Sequence, residues 1–592
     1  MIRVTRPTRS ATAVAVLLVA ACETPAPRAG SSSAGAQAVD RRVDALADTM
    51  LTALFEHFAD WGTYFGVPNA RHDRLPDNSL AELRRWQAKE DAWLRQLRAI
   101  DPADLLGRRS WVTYGMLREG VESSVATRVC NTELWKVDQL GGWQATLTYL
   151  ADAQPIGTDS LRAAALARWG TLPAYIDTEI ANLREGARLG FTAPRENVRL
   201  VVRQLDDLIA MPTEQSPFFA PASHDSTPAF RSAFAALVHD RVTPALRRYR
   251  DYLAREYQPA ARTSIALTAL PRGAECYRAL VRSSTTLDIL PDSLFLLGQQ
   301  RVAAIDSEMR AIAERSFRTS DVAALVRRLQ TDTSYTFRSR DDVLAFARAA
   351  IARADSVAPR WFARLPKADV TVEAYPQFLE ASSIAEYKAP AEDGSRGGTF
   401  LLSTYEPRKR SRLNLQAIVF HEAVPGHHIA TAVALEGRDG RHAITRYLNN
   451  SGFVEGWALY SERLADEMGL YSSDLDRLGM LTEQAFRAAR LAVDPGIHLK
   501  GWTREQAVAY IVAHSALRAE EAAAEVDRYI IMPGQAPAYM LGMLEIQAMR
   551  RDAVRRLGDQ FDIRAFHGAV LEDGAITLPM LRAKLAAWTP AP

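Results

Sequence analysis

Apolar residues recur at helical spacing along most of the chain. Between Leu161 and Gly186, the residues Leu166, Trp169, Leu172, Ile176, Ile180 and Leu183 fall three or four apart and line one face. Pro173 interrupts that stripe and is expected to kink or restart the helix, because proline has no amide donor. Similar stripes predict helices over Leu46–Phe58, Leu80–Ile100, Val198–Ile209, Phe230–Tyr257, Pro291–Ala313 and Val343–Ala352. Glu214–Pro228 is polar and proline-containing and reads as a long loop. Strand signal is sparse, confined to Asp369–Ala374 and Gly398–Thr404, and no fixed-period repeat is evident. The pattern is therefore mainly α, with a small sheet.

The first residues follow a different rule. Arg3, Arg6 and Arg9 precede an apolar stretch from Ala11 to Ala21 that closes on Val19-Ala20-Ala21-Cys22. Eleven residues rise about 16 Å as a helix, too short for a hydrocarbon core of about 30 Å. Residues 1–21 thus read as a secretory signal peptide. The small residues before Cys22 resemble the lipobox of bacterial lipoproteins, in which that cysteine is lipidated; ordinary cleavage at an Ala-x-Ala-like site is the alternative. Residues 22–40, rich in Ala, Ser, Pro and Gly, read as a flexible tether, followed by an N-terminal helical region over 41–270 and a second helical region over 271–592.

The 592 residues, 48% hydrophobic and 24% charged, carry ample material for large cores and exclude a disordered chain. Without the three leader arginines, 69 basic residues face 70 acidic ones, so a nucleic-acid-binding surface is not expected. Membrane association is expected only through a lipid on Cys22. Export places Cys130 and Cys276 in an oxidising compartment, where they either form a disulfide or remain two buried thiols.

Candidate chemistry begins at Asn414. The helix-forming run Leu415-Gln416-Ala417-Ile418-Val419-Phe420 leads into His421-Glu422-Ala423-Val424-Pro425-Gly426-His427-His428, which holds three of the chain's 11 histidines. A helix carrying His-Glu and a second His one turn on is a zinc-binding device, with the glutamate as base. Here the position one turn on is Pro425, so Pro425-Gly426 must bend the chain and swing His427 or His428 back toward His421. On a straight helix the rise from 421 to 427 is about 9 Å, too far for two ligands of one ion. Glu455, in Phe453-Val454-Glu455-Gly456-Trp457-Ala458, is the candidate third ligand. Glu462, seven positions later on the same helical face, is placed to orient a ligating histidine, with His428 a further candidate for that role or for a fourth ligand.

That octet, Glu455-Gly456-Trp457-Ala458, the segment from Arg490 to His498 and the segment from Arg528 to Tyr539 together resemble the bacterial "domain of unknown function 885" family. The resemblance covers nearly the whole mature chain and is weakest before about residue 120. It implies a large helical zincin-like fold of gluzincin type, with a small sheet beside the active-site helix. It also implies a zinc peptidase with His421, His427 and Glu455 as ligands, one zinc per chain and Glu422 as general base. Ala430 stands where the family's motif often has glutamine.

An oxyanion needs further donors, for which His498, Tyr529 and Tyr539 are candidates; the resemblance to helical peptidases ranks Tyr539 and His498 first, and leaves Arg528, with its bidentate fork, and Tyr529 as candidates for substrate binding. Each of His498 and Tyr539 fits a packing role equally well. Thr503-Arg504-Glu505-Gln506 predicts a capped helix start, and Pro537 a second start that puts Tyr539 near a helix N-terminus. Gly397–Thr404 is expected as the edge strand with which a peptide pairs. The expected function is a peptide-cleaving zinc hydrolase, exported and lipid-anchored, at the outer membrane if the source is Gram-negative. The alternatives are a zinc-stabilised, non-catalytic binding lipoprotein and a helical lipoprotein without metal.

Overall fold

The computed structural model describes residues 33–590, except 106, 376–379, 381–383, 392–395, 438–440 and 449. The expected signal peptide and Cys22 lie outside the described residues. Helix Ser33–His57 begins inside the segment expected as a tether to residue 40.

The chain is mainly helical, as its periodicity predicts. Pro173 sits in the first turn of helix Leu172–Arg188, so it restarts a helix after Asp159–Gly170 rather than kinking one. The stripe over Phe230–Tyr257 is one rod interrupted by π-helical turns at Val238–Val242 and Leu253–Tyr257. Glu214–Pro228 is not the open loop its composition suggests. It carries the turns Thr213–Gln215 and Pro217–Phe219 and the short helix Ala220–Ser223, and it buries Phe218 and Phe219.

Three apolar cores form. Helices Ser33–His57, Leu80–Arg98 and Trp111–Thr127 close around Leu46, Trp86, Trp93, Leu97 and Leu117. A second core gathers Trp169, Ile176, Leu205, Phe234 and Tyr249. The largest takes the rest of the chain and also Val112, Met116, Leu134 and Phe191, so packing bridges the division expected near residue 270. A disulfide between Cys130 and Cys276 crosses the same division, closing a sequence separation of 146.

In the largest core, helix Pro291–Phe317 lies along helix Asp474–His498 so closely that a Cβ on Gly298 would stand 2.7 Å from the amide nitrogen of Ala492. Helices Ser451–Glu467 and Ala538–Leu557 cross still more tightly. A Cβ on Gly456 would lie 2.5 Å from the Cα of Gly542, and one on Gly542 would lie 1.8 Å from the carbonyl oxygen of Gly452.

The sheet has three strands, β1 (Val370–Ala374), β2 (Ala385–Lys388) and β3 (Gly398–Leu402), in the order β1-β3-β2. β3 pairs with β1 in parallel and with β2 antiparallel, with Val372 opposite Phe400 and Tyr387 opposite Phe400 on the other side. All five β3 residues are buried. The strand expected at the edge is therefore central, and both its backbone ladders are occupied. β2, too short and polar to signal itself in the sequence, is an edge and packs beside helix Leu415–Glu422.

Candidate metal centre

Helix Leu415–Glu422 is anchored by Leu415, Ala417, Val419 and Phe420, all buried. It stops at Glu422, and a new helix, His427–Glu436, starts after Gly426. Gly426 is required at the break: a Cβ there would stand 1.9 Å from the carbonyl oxygen of His421 and 2.4 Å from that of Phe420. The broken end is satisfied from helix 451–467. The Trp457 indole N–H donates to the carbonyls of Pro425 and Gly426 at 3.1 and 3.2 Å, and the Ser461 hydroxyl donates to that of Phe420 at 3.0 Å.

The break does what the spacing demanded. The rings of His421 and His427 stand 5.0 Å apart and perpendicular. Helix 451–467, capped by Asn450, whose side chain accepts the amide of Phe453 at 2.7 Å, brings Glu455 to them. Glu455 Oε2 lies 3.5 Å from His421 Nε2 and 3.7 Å from His427 Nε2, and the three candidate ligand atoms all fall within 4.8 Å of one another. Ligands at about 2.0–2.2 Å from one tetrahedral ion stand roughly 3.4 Å apart, near the two separations of Glu455 from the histidines, and the donor set fits zinc in type.

Glu462 accepts a hydrogen bond from His421 Nδ1 at 2.8 Å, leaving Nε2 for the cluster. Burial pulls the His421 imidazole down, but Glu455 and Glu462 outweigh it and push the group up to about 9. Burial likewise opposes ionisation of Glu455, and the two histidines overcome it, holding the carboxyl well below its ordinary range.

Glu422 follows His421 directly, and its charge is felt by Tyr375, at the end of the sheet. Burial, then Glu386 and Glu422, raise that phenol above its ordinary range. Tyr539 occupies the first turn of helix 538–557 and is coupled to the Glu455 charge. Its ring lies 4.4 Å from the guanidinium carbon of Arg490, which is 4.2 Å from Phe486 on another side.

The other residues singled out from sequence are placed differently. His498 is fully buried, its Nε2–H donating to the carbonyl of Tyr529 at 3.0 Å and its ring 5.4 Å from that of Tyr277. Burial drives its imidazole down to about 3. It is a packing histidine, not an oxyanion donor. Tyr529 is fully buried too, its hydroxyl donating to Glu525 at 2.8 Å and accepting from Arg490 at 2.9 Å. Arg528 donates to Glu525 at 2.9 Å and to Gln535 at 2.7 Å, so its fork is filled within the chain. Neither is free for substrate.

His428 does not join the cluster. Its Nε2–H donates to the carbonyl of Ala368 at 2.9 Å and its Nδ1 accepts from the Tyr387 hydroxyl at 3.0 Å, so no nitrogen remains for a metal. Its partner Tyr387 also faces the cluster, with its ring 6.5 Å from that of His427.

Sequence reasoning assigned no role to Arg490, Tyr375 or Tyr387. Arg490 stood within a quoted motif and was the one available signal; the two tyrosines lie in segments with none.

The fold and the cluster define a mainly helical protein with a His-His-Glu side-chain cluster built across a broken helix. The chain belongs to the family described as "Bacterial protein of unknown function (DUF885)", whose model matches residues 60–585. Two solved structures share the fold. A candidate lipoprotein from Colwellia psychrerythraea is 24% identical with a TM-score of 0.84, over 93% of this chain and 99% of that one. A candidate lipoprotein of unknown function from Shewanella oneidensis is 19% identical with a TM-score of 0.76, over 91% of this chain and 98% of that one. No curated protein matches.

Proposed function

We propose that this protein is a zinc-dependent hydrolase that cleaves peptide bonds outside the cytoplasm. The observation that carries the reading is the convergence of His421, His427 and Glu455 within 4.8 Å across a helix break, beside Glu422. Zinc held by those three side chains supplies Lewis acidity toward a carbonyl and lowers the pKa of a water.

The chain's own residues do the rest. Glu422 takes the proton of the attacking water and passes it to the leaving amine. The Tyr539 phenol, which feels the Glu455 charge, donates a hydrogen bond to the developing oxyanion. Glu462 holds the His421 ring in the tautomer that presents Nε2, and Arg490 holds the Tyr539 ring. A closed, non-catalytic zinc site would need a fourth protein ligand, and the commitment of both His428 nitrogens removes the candidate for it.

Several observations support an exported, lipid-anchored enzyme of the cell envelope. They are the leader-like residues 1–21 with Cys22, the Cys130–Cys276 disulfide, and the description of two structural relatives as candidate lipoproteins. Among the described residues no helix is long and apolar enough to cross a membrane.

The test is elemental analysis of the purified protein with His421→Ala beside it, followed by peptide-library hydrolysis with Glu422→Gln as control. About one zinc per chain is expected, lost in His421→Ala, with turnover abolished but zinc retained in Glu422→Gln. Absence of metal after zinc is supplied, or full turnover in Glu422→Gln, overturns the reading.

A further inference from the structure

A cavity lies apart from the candidate metal centre. It is an open groove of about 1030 Å³, and none of its lining residues belongs to the His421–His427–Glu455 cluster. One wall is helix Val322–Thr331, another is the turn Pro407–Lys409 that leads from β3 toward the metal helix, and a third is the connection from Val512 to Ala519. Thr482 closes the inner end, next to Glu483, which accepts from the Asn414 amide at 2.6 Å at the start of helix 415–422. The groove therefore meets the N-terminal end of the helix whose other end carries His421, seven residues or about 10 Å along the axis.

Its chemistry is two-sided. Met309, Val322, Val326 and Leu517 supply apolar surface, and Val512 is 39% exposed. Arg310, Arg327, Arg328 and Arg408 stand around them, all exposed. Among the described residues none of the four guanidinium groups makes a hydrogen bond or ion pair.

Two acids line the groove, fewer than these four arginines, and Asp332 is held low by hydrogen bonds from Ser334 and in part by the Arg328 charge. Asp306 faces His514 at 3.4 Å, and Asp321 accepts the amide of Ala324 as the cap of helix 322–331. Arginines just outside are paired, Arg315 with Asp474 and Arg463 with Glu308. In a chain whose charges nearly cancel, 72 basic against 70 acidic, this groove carries an excess of positive charge over an apolar floor.

We propose that the groove is a second binding site, which takes an extended acidic peptide segment, its carboxylates on the arginine rim and its apolar side chains on the floor. Arginine forks suit carboxylates in pairs, and a cavity of this size seats several residues. The site rests on the groove alone and does not require the hydrolase reading to hold.

The test is fluorescence anisotropy with a fluorescein-labelled nonapeptide of alternating Glu and Leu, and its Lys–Leu counterpart, with EDTA present so that hydrolysis is neither required nor able to contribute. The Glu–Leu peptide is expected to bind, more weakly at high salt, and the Lys–Leu peptide to bind at least about tenfold less tightly. Arg327→Glu/Arg328→Glu, on an exposed helix face, is expected to cost at least about tenfold in affinity with an unchanged melting temperature. Arg310→Glu/Arg408→Glu, on the other walls, repeats the test independently. No binding of the Glu–Leu peptide, equal binding of both peptides, or unchanged affinity in both double variants would overturn the proposal. Failure of zinc binding or of peptide hydrolysis leaves it standing.

Discussion

Glu462 accepts hydrogen bonds from His421 Nδ1 at 2.8 Å and from Gln484 Nε2 at 2.9 Å, while the Tyr471 hydroxyl donates to its backbone carbonyl at 3.0 Å. A carboxylate held by a hydrogen bond on each oxygen, and 1% exposed, holds the imidazole plane of a candidate ligand. Glu462→Gln keeps the shape and removes the charge. We expect zinc affinity to fall roughly 10–100-fold, measured by competition with a chelator of known affinity. An unchanged affinity removes Glu462 from the support of the site.

The break after Glu422 makes a second prediction. Gly426→Ala drives a methyl group into the carbonyls of His421 and Phe420, neither of which can retreat without unseating the metal helix. A loss of more than about 3 kcal/mol in stability is expected, with zinc binding lost. Gly568→Ala, in helix Ile563–Leu571, meets nothing within 4 Å and should gain up to about 1 kcal/mol. Urea unfolding of the two variants compares them directly.

Asp494 predicts a pH dependence remote from the metal. It is fully buried, accepting from the Tyr277 hydroxyl at 2.6 Å and the Gly534 amide at 3.0 Å, with Arg528 the nearby positive charge. Burial outweighs these and pushes its carboxyl up to about 7, against 3.8 when unfolded. A folded-state pKa above the unfolded value means that the native state binds the proton more tightly. Its contribution is complete below about pH 4 and is lost as pH rises through about 7, a change on the order of 4 kcal/mol. Asp494→Asn, which can accept the same two hydrogen bonds, should flatten that slope. A difference between wild type and variant that stays constant from about pH 5 to about pH 8 would falsify the assignment.

The disulfide makes the fourth. Closing a separation of 146 residues removes unfolded-state entropy worth about 5 kcal/mol in the chain-entropy model. Cys130→Ala/Cys276→Ala should therefore melt well below the wild type and lose the sensitivity of the wild type to dithiothreitol. Equal melting temperatures with and without reductant would show that the bridge adds nothing.

Tyr539→Phe isolates the proposed oxyanion donor. Zinc content should be unchanged while kcat for peptide hydrolysis falls by roughly 10²–10³. His498→Gln, by contrast, should lower stability and leave kcat of the folded fraction intact.

What the sequence revealed and what it hid divide along physical lines. The grouping of His421, His427 and Glu455 was legible because metal-ligating residue types stand at a recognisable spacing, and Pro425-Gly426 announced the break that brings the two histidines together. Helices such as Leu172–Arg188 were legible because a single period of 3.6 governs burial. His498, Arg528 and Tyr529 were misread because their residue types suit catalysis, and only tertiary burial shows that His498 binds a backbone carbonyl and that Arg528 and Tyr529 share Glu525. The position of β3 was hidden because it depends on β2, a four-residue Ala-Glu-Tyr-Lys strand without an apolar pattern. Phe218 and Phe219 were hidden by polar neighbours, although both are core residues.

The glycine crossing of helices 451–467 and 538–557 governs more than packing. Glu455 and Tyr539 ride on two backbones that touch at Gly452, Gly456 and Gly542, with no side chains between them to act as a cushion. Helices spaced by leucines can slide or part by repacking rotamers, whereas backbones in direct contact move as one body. Any opening between neighbouring elements must therefore hinge elsewhere, and Glu455 and Tyr539 are carried on one rigid unit.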